Sequence, residues 1–447
     1  MFSPSLEEVK EIAENKEYKR IPISYELFSD IATPIEVLRI LKCISKHAYM
    51  LESVEDSQKW GRYTFLGFNP LLEFTCQNGI VKIRGDADFE GLTDDEITIE
   101  TDNPSEIIKD LISKNKSPKL NYLPPFTGGF VGYFAYDYIK YSEPSLNLDA
   151  ENQDQFKDID LMLFDKVIAF DNFKQKIILI TNMKTDDVEG NYERACDDLM
   201  EMADLIKHGK KIEIEPLKLK SDFKPAFSRE RFCNMVDKAK SYIYEGDIFQ
   251  VVLSNRIEAD IEGSLFDTYR VLRTTNPSPY MFYFSSNDIE IAGASPETLV
   301  KLTDNQLYTF PLAGTRPRGK TEEEDLRLEE DLLSDEKELA EHNMLVDLGR
   351  NDIGRIAEIG SVHVDKYMSI ERFSHVMHIG STVSGQLRSD LHPLSAIDSI
   401  LPAGTLSGAP KIRACEIINE LEDNKRGFYG GAIGYVDLSG NIDTCIS

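Results

Sequence analysis

Basic charge is what this chain has least of for its size. Lys plus Arg total 50 against 78 Asp plus Glu, a net charge of −28 over 447 residues. Nucleic-acid binding draws on basic stripes, and so does binding to an anionic membrane surface, so the balance argues against both partners. A small anionic substrate stays open, because one local basic loop can sit inside an acidic protein. Cysteine is also sparse. Cys43, Cys76, Cys196, Cys233, Cys415 and Cys445 lie far apart with no C-x-x-C pair, which argues against a zinc site or a disulfide scaffold. Reduced, mostly buried thiols are the expectation. No apolar run approaches the ~18 residues of a membrane span. The N-terminus, MFSPSLEEVKEIAENKEYKR, lacks the apolar centre of a signal peptide, so the chain reads as cytoplasmic. G-x-S-x-G, Walker A and dinucleotide fingerprints are missing as well.

A hydrophobic fraction of 41% is enough for a large core. From Ile21 to about Asp187, runs such as YTFLGF, LLEFTC, IVKIRG, GGFVGYF, LMLFD, VIAFD and KIILITN are separated by Gly, Asn, Asp and Pro. That pattern predicts antiparallel strands. Helices are predicted near 5–16, 33–46, 104–114 and 189–207. Residues 208–227 are polar and aperiodic, and read as a linker between two halves. Ser228 then caps a helix with Phe232, Val236, Ala239 and Ile243 on one apolar face, ended by Gly246. A strand over IFQVVLSNRI follows, with further helices near 322–348 and 409–422. The fold class is α+β with large antiparallel sheets. Gly128-Gly129-x-x-Gly132-Tyr133 is echoed by Gly430-Gly431-x-x-Gly434-Tyr435, which hints at two related sheet edges.

Pro311–Gly319 reads PLAGTRPRG. Its Pro and Gly residues shape a loop able to aim backbone N–H groups at one point. Arg316 and Arg318 suit a carboxylate or phosphate. A solvated turn with two surface arginines is the plain alternative. Glu338 and Glu341, at i and i+3 on a helix capped by Ser334 or Asp335, repel unless a cation bridges them, and an oxygen-only set suits magnesium. The plain alternative is a solvated acidic helix face. LGRNDIGR (348–355) reads as a helix exit and folded-back turn whose charges support that face. His378 is a candidate proton donor or acceptor. Small residues from Ala403 to Ala409 lead into a helix with Pro410 in its first turn, a place where anions bind. Glu297 follows an apolar strand, and burial would raise its pKa enough for acid catalysis. These residues point to a magnesium enzyme acting on a small anion.

PLAGTRPRG, ELAEHNMLVDLGRND, ERFSHVMH, LPAGTLSGAPK and YGGAIGY, in this order, resemble the chorismate-utilising enzyme family. MLESVED…WGRYTFLG, PFTGGFVGYF, GDIFQVVLSNR and NPSPYMFYF resemble its anthranilate-forming branch. The resemblance implies a β-sandwich core of large antiparallel sheets with helices packed outside. It implies that chorismate and ammonia give aminodeoxyisochorismate, which loses pyruvate to leave anthranilate, the first step of tryptophan biosynthesis. Gly314, Thr315 and Tyr429 fall at substrate-binding positions. The resemblance makes Glu341 a magnesium (Mg2+) ligand with Glu338 beside it. By the same resemblance Glu297 is expected to be the acid for the departing ring hydroxyl, His378 to serve pyruvate elimination, and Thr405 to be a further site residue. Ser53, Pro279, Tyr280 and Met281 map to a pocket for the feedback inhibitor L-tryptophan. Ammonia comes from a glutamine amidotransferase subunit (component II), since no glutaminase motif is visible. The division expected is 1–207 with the regulatory elements, a 208–227 linker, and a 228–447 catalytic region.

Two positions choose among members. Water-adding relatives carry a basic Lys where this chain has Gln250, and aminodeoxychorismate synthase carries a nucleophilic Lys where it has Ala313. An alanine forms no covalent adduct. Family members continue past the equivalent of Ser447 with an Arg, a GAG turn and a further Glu ligand, so weak or absent activity is expected of the 447 residues alone. Aminodeoxychorismate synthase and a non-catalytic tryptophan-binding subunit stay open as alternatives.

Overall fold

The computed structural model describes residues 2–53, 61–85, 96–152, 155–373 and 375–447. The Val54–Trp60 part of the MLESVED…WGRYTFLG motif and Ser374 of ERFSHVMH lie outside the described residues. Two large antiparallel sheets dominate. The first has eight strands among the described residues, in the order Phe2–Ser3, Arg20–Phe28, Lys176–Lys184, Lys166–Asp171, Tyr63–Phe68, Ala48–Glu52, Tyr280–Ser285 and Glu290–Ser295. The second has twelve. It runs from Leu312–Pro317 through Val376–Gln386, Gln306–Thr309, Thr298–Thr303, Ile442–Ile446, Ala432–Asp437, Gly129–Phe134 and Ile159–Phe164 to Leu72–Gln77, Ile80–Gly85 and Glu96–Glu100. His363–Arg372 is its off-path member, paired to Val376–Gln386.

Strand alternation explains why the sheets stack. In Lys166–Asp171, Val167 and Ala169 point one way and Ile168 and Phe170 the other. The first pair joins Tyr49, Phe65, Phe282, Val131, Tyr133, Ile433 and Tyr435 in an inter-sheet core. The second pair joins Val37, Leu41, Leu199, Met202 and Tyr269 from helices laid on the outer face. Both faces are buried, so the sequence there is continuously apolar (VIAF, 167–170) rather than alternating. Helices on the far side of the second sheet close a third core around Phe74, Ile108, Val346, Ile353 and Ile397. This is a β-sandwich with helices outside.

The 208–227 segment does not separate two sheets. Tyr280–Ser285 joins the first sheet through Ala48–Glu52, and Gly129–Phe134 joins the second through Ala432–Asp437. Each sheet therefore takes strands from both sides of that segment. The glycine echo is resolved in the same place: its two strands are neighbours, with Gly132 opposite Gly434. A Cβ at either would sit 2.0–2.1 Å from a carbonyl of the adjoining strand, so only glycine fits.

Helices form at Leu6–Ala13, Pro34–Ile44, Pro104–Ser113 and Val188–His208, where periodicity places them. Ser228 caps Arg229–Glu245 by accepting from Arg231 N–H at 3.2 Å, and Gly246 ends it at φ 86°. The buried face differs from expectation: Met235 and Ala239 are buried, while Ile243 is 43% exposed. The region near 322–348 is two helices, Glu322–Ser334 and Glu336–Gly354. LGRNDIGR lies mostly within the second, not in a folded-back turn. The predicted strand over IFQVVLSNRI is broken: Gln250–Val251 pairs with Gly408–Ala409, and Ile257 pairs with Pro225.

Candidate active site

Asp335 caps the helix Glu336–Gly354 through N–H groups of Lys337 and Glu338 at 3.1 and 3.3 Å. This fixes the first turn and turns Glu338 toward the PLAGTRPRG strand. That strand, Leu312–Pro317, pairs with Val376–Gln386, and the register slips between Ala313 and Thr315. Gly314 is the bulged residue, at φ 65°. A Cβ there would lie 3.2 Å from Glu338 Oε2 and 3.1 Å from Leu332. Glycine is thus needed for its backbone and for the carboxylate above it.

Beyond the bulge Thr315 faces His378. His378 Nδ1 is 2.9 Å from the Gly314 carbonyl and 3.1 Å from Thr315 Oγ1. A carbonyl only accepts, so Nδ1 carries a proton, and in the neutral ring Nε2 keeps the lone pair. Phe373 packs edge-on to the imidazole at 5.5 Å. Gly314, Thr315, His378 and Glu338 are therefore one contact set.

Arg316 and Arg318 are placed otherwise than the loop suggested. Arg316 donates to Asp331 at 2.6 Å and Asp335 at 3.0 Å. Arg318 binds Asp325 at 3.0 Å and the Phe373 carbonyl at 2.8 Å. Both guanidiniums hold the acidic helix against the loop rather than facing an open anion site. Arg318 and the Gly319 N–H pull the Asp325 carboxyl down to about 2. The charges of LGRNDIGR also go elsewhere: Arg350 pairs with Asp347, Arg355 with Glu143, and Asp352 with Lys411.

Glu341 accepts from Gln250 Nε2 at 2.9 Å, and Gln250 Oε1 is buried with no partner among the described residues. Among the described residues no three metal-ligating His, Cys, Asp or Glu side chains converge. Glu338 and Glu341, one turn apart on the helix, still suit magnesium, which takes one or two carboxylates and fills its shell from substrate and water.

Glu297 lies at the other end of the same helix. Leu345, Leu348 and Asp352 line a cavity of about 30 Å3 with Glu297, Thr405, Ala403 and Gly404. Seven helical residues from Glu341 to Leu348 rise about 10 Å, so the two groups of residues can flank one small molecule. Thr405 Oγ1 donates to Glu297 Oε1 at 3.2 Å. Desolvation pushes the Glu297 carboxyl up to about 8 against the hydrogen bonds of Thr405 and Leu312. The carboxyl therefore keeps its proton well above the usual carboxylate range. Tyr429 is 44% exposed and stacks 5.7 Å from the Arg426 guanidinium.

Sequence reasoning missed Arg426. It binds both Glu422 oxygens at 2.6 and 2.9 Å, Leu406 O at 2.6 Å and Val252 O at 2.6 Å. It thereby ties the Thr405 turn to the segment carrying Gln250. The Glu422-x-x-x-Arg426 spacing was the available signal. His342 was missed too: its Nε2 meets Ser381 Oγ at 2.6 Å and anchors the helix to the His378 strand.

Ser53, Pro279, Tyr280 and Met281 line one cavity of about 70 Å3, with Glu52, Tyr435, Asp443 and Cys445. Ser53 Oγ is buried there without a partner among the described residues.

Known proteins match this architecture. Residues 47–447 fit the model of the chorismate binding enzyme family. A protein named anthranilate synthase component 1 from Acetivibrio thermocellus is 45% identical over 100% of this chain and 90% of its own length. The crystal structure of anthranilate synthase component I from Streptococcus pneumoniae TIGR4 superposes with a TM-score of 0.73 at 37% identity, covering 94% of this chain and 89% of that one. An Escherichia coli isochorismate synthase shares the fold, with a TM-score of 0.66 at 15% identity over 99% of this chain and 88% of its own. The chain belongs to the chorismate binding enzyme family, in the group of anthranilate synthase component 1 proteins.

Proposed function

We propose that this chain is the chorismate-converting subunit of an anthranilate synthase. The observation that carries the reading is the Gln250–Glu341 pair. Where water-adding relatives have a basic lysine, an amide stands with its Nε2 held by Glu341 and its buried Oε1 open to a donor. Ammonia is such a donor, and an amide cannot deprotonate water. Ala313 removes the lysine-dependent route in the same way. The names of relatives 45% identical over the whole chain support the assignment.

In this reading the ammonia nitrogen bonds to the ring as the ring hydroxyl leaves as water, taking its proton from Glu297. The surplus ammonium proton restores that acid. His378 Nε2 then takes a ring proton while the enolpyruvyl C–O bond breaks, and pyruvate leaves with a proton from solvent. Gly314, Thr315 and Tyr429 orient chorismate, and Thr405 holds the Glu297 carboxyl. Glu341 and Glu338 would hold magnesium, whose charge anchors and polarises the ring carboxylate. Ammonia would come from a glutamine amidotransferase subunit in the cytoplasm. The test is anthranilate fluorescence from chorismate, Mg2+ and ammonium chloride. Product absent both from this chain and from a form extended beyond Ser447 refutes the reading.

We further propose that the Ser53–Met281 cavity takes L-tryptophan as feedback inhibitor. Its apolar walls, its carboxylates and a hydroxyl unpartnered among the described residues suit an amino acid with a large aromatic side chain. Ser53→Phe fills the cavity. Activity is expected to persist while inhibition weakens at least about tenfold. Unchanged inhibition sinks this assignment.

A further inference from the structure

The Ser53–Met281 cavity and the Glu297 cavity lie on either side of one short segment. The former holds about 70 Å3. Benzene occupies an engineered cavity of about 150 Å3, and an indole is larger. An indole ligand seated there would press on walls that include Tyr280, Asp443 and Cys445.

Those walls are tied to the residue that follows Glu297. The Tyr280 hydroxyl donates to Asp443 Oδ1 at 2.8 Å and lies 2.8 Å from Thr298 Oγ1. A phenol has one proton, so Thr298 is the donor in its own contact. Asp443 Oδ2 is 3.2 Å from Lys301 Nζ. Thr298 directly follows Glu297 and sits opposite Cys445, and the pairing of these strands slips between Thr298 and Val300. Ile446, next to Cys445, donates its N–H to the Glu297 carbonyl at 3.1 Å. An irregular ladder can shift locally without unpairing the sheet.

We propose that Thr298 is a positioning residue whose bond to Tyr280 ties the placement of Glu297 to the occupancy of the Ser53–Met281 cavity. Spreading the cavity moves Tyr280 and Asp443. Thr298 follows through its hydroxyl, and the Glu297 carboxyl leaves its bond to Thr405. This rests on the tryptophan reading of the cavity given above.

The test needs no turnover. Calorimetry measures tryptophan affinity with Mg2+, in the presence and absence of saturating chorismate and without ammonium. Linkage makes the ratio of the two affinities a coupling constant. The wild-type ratio is expected to be about tenfold or more. Thr298→Val should reduce it below about threefold while the affinity without chorismate stays within about threefold. Thr298→Ser keeps the hydroxyl and should restore the ratio, which a purely structural role would not require. If the valine variant does not fold, Tyr280→Phe removes the same bond from the other side and must also erase the ratio. A full ratio in both variants overturns the proposal and leaves the tryptophan reading standing. No tryptophan binding by the wild type overturns both.

Discussion

Replacing Glu297 by Gln separates the acid's chemistry from its structural cost. Burial raises the carboxyl from 4.5 to about 8. Between those values the unfolded chain ionises at this position and the folded chain does not. Stability linked to Glu297 is therefore complete below about pH 4.5, declines as pH rises, and levels off above about 8. At 1.36 kcal/mol per pKa unit the decline reaches about 4 kcal/mol by pH 7.5 as an upper bound. Gln is neutral at every pH. It keeps an oxygen to accept from Thr405 and Leu312, but it adds an amide N–H2 without a partner, at about 1–3 kcal/mol. The Gln variant is thus expected to be about 1–3 kcal/mol more stable than wild type at pH 7.5 and no more stable at pH 4.5. Urea unfolding at pH 4.5, 6, 7.5 and 8.5 measures the difference. Loss of a general acid should also lower kcat by about 10²–10⁴. For the wild type, kcat should fall as pH rises through about 8, because the proton donor is lost. A Gln variant that is less stable at pH 7.5, or a stability difference that does not change with pH, would refute the buried neutral acid.

Gly314→Ala places a Cβ at φ 65°, 3.1–3.2 Å from Leu332, Glu338 and Ile379. It should cost about 2–3 kcal/mol in urea unfolding and raise the KM for chorismate. Gly354→Ala, a helical control with nothing within 4 Å, should be neutral or gain up to about 1 kcal/mol. Asp325→Asn tests the loop's charge wiring. With the carboxyl held at about 2, its contribution is present above 3.8 and lost as pH falls toward 2. The Asn variant should lack that segment of the acid-unfolding curve, and an unaltered curve would contradict the Arg318 pairing. Gln250→Leu frees Glu341 and removes the buried amide oxygen. It should raise the ammonium KM more than the chorismate KM, by about tenfold, in steady-state kinetics. An unchanged ammonium KM would remove Gln250 from the reading.

The parts of the fold legible in the sequence are those set by neighbours along the chain. Asp335, Ser228 and Gly246 act on N–H and C=O groups within four residues, and each caps the helix its chemistry suggests. Where the partner is far away, local reading fails. Arg316 and Arg318 look like an anion clamp until helix Glu322–Ser334 folds back and presents Asp325, Asp331 and Asp335. Gln250 finds Glu341 across 91 positions. The helix Arg229–Glu245 has its apolar period, but tertiary packing selects Met235 over Ile243 as the buried contact.

The same non-locality decides what the protein can couple. A break at 208–227 suggested regulation in one half and chemistry in the other. The strands are interleaved instead. Ser53 stands at the end of a strand that pairs with Tyr280–Ser285, and Tyr280 bonds Thr298 and Asp443 in the second sheet. Glu297 is the turn residue between Glu290–Ser295 of the first sheet and Thr298–Thr303 of the second. The acid is therefore attached to both layers of the sandwich, and the Ser53–Met281 cavity lies between those layers. Anything that changes the separation of the sheets at that cavity acts on the connection carrying Glu297, with no hinge between domains required.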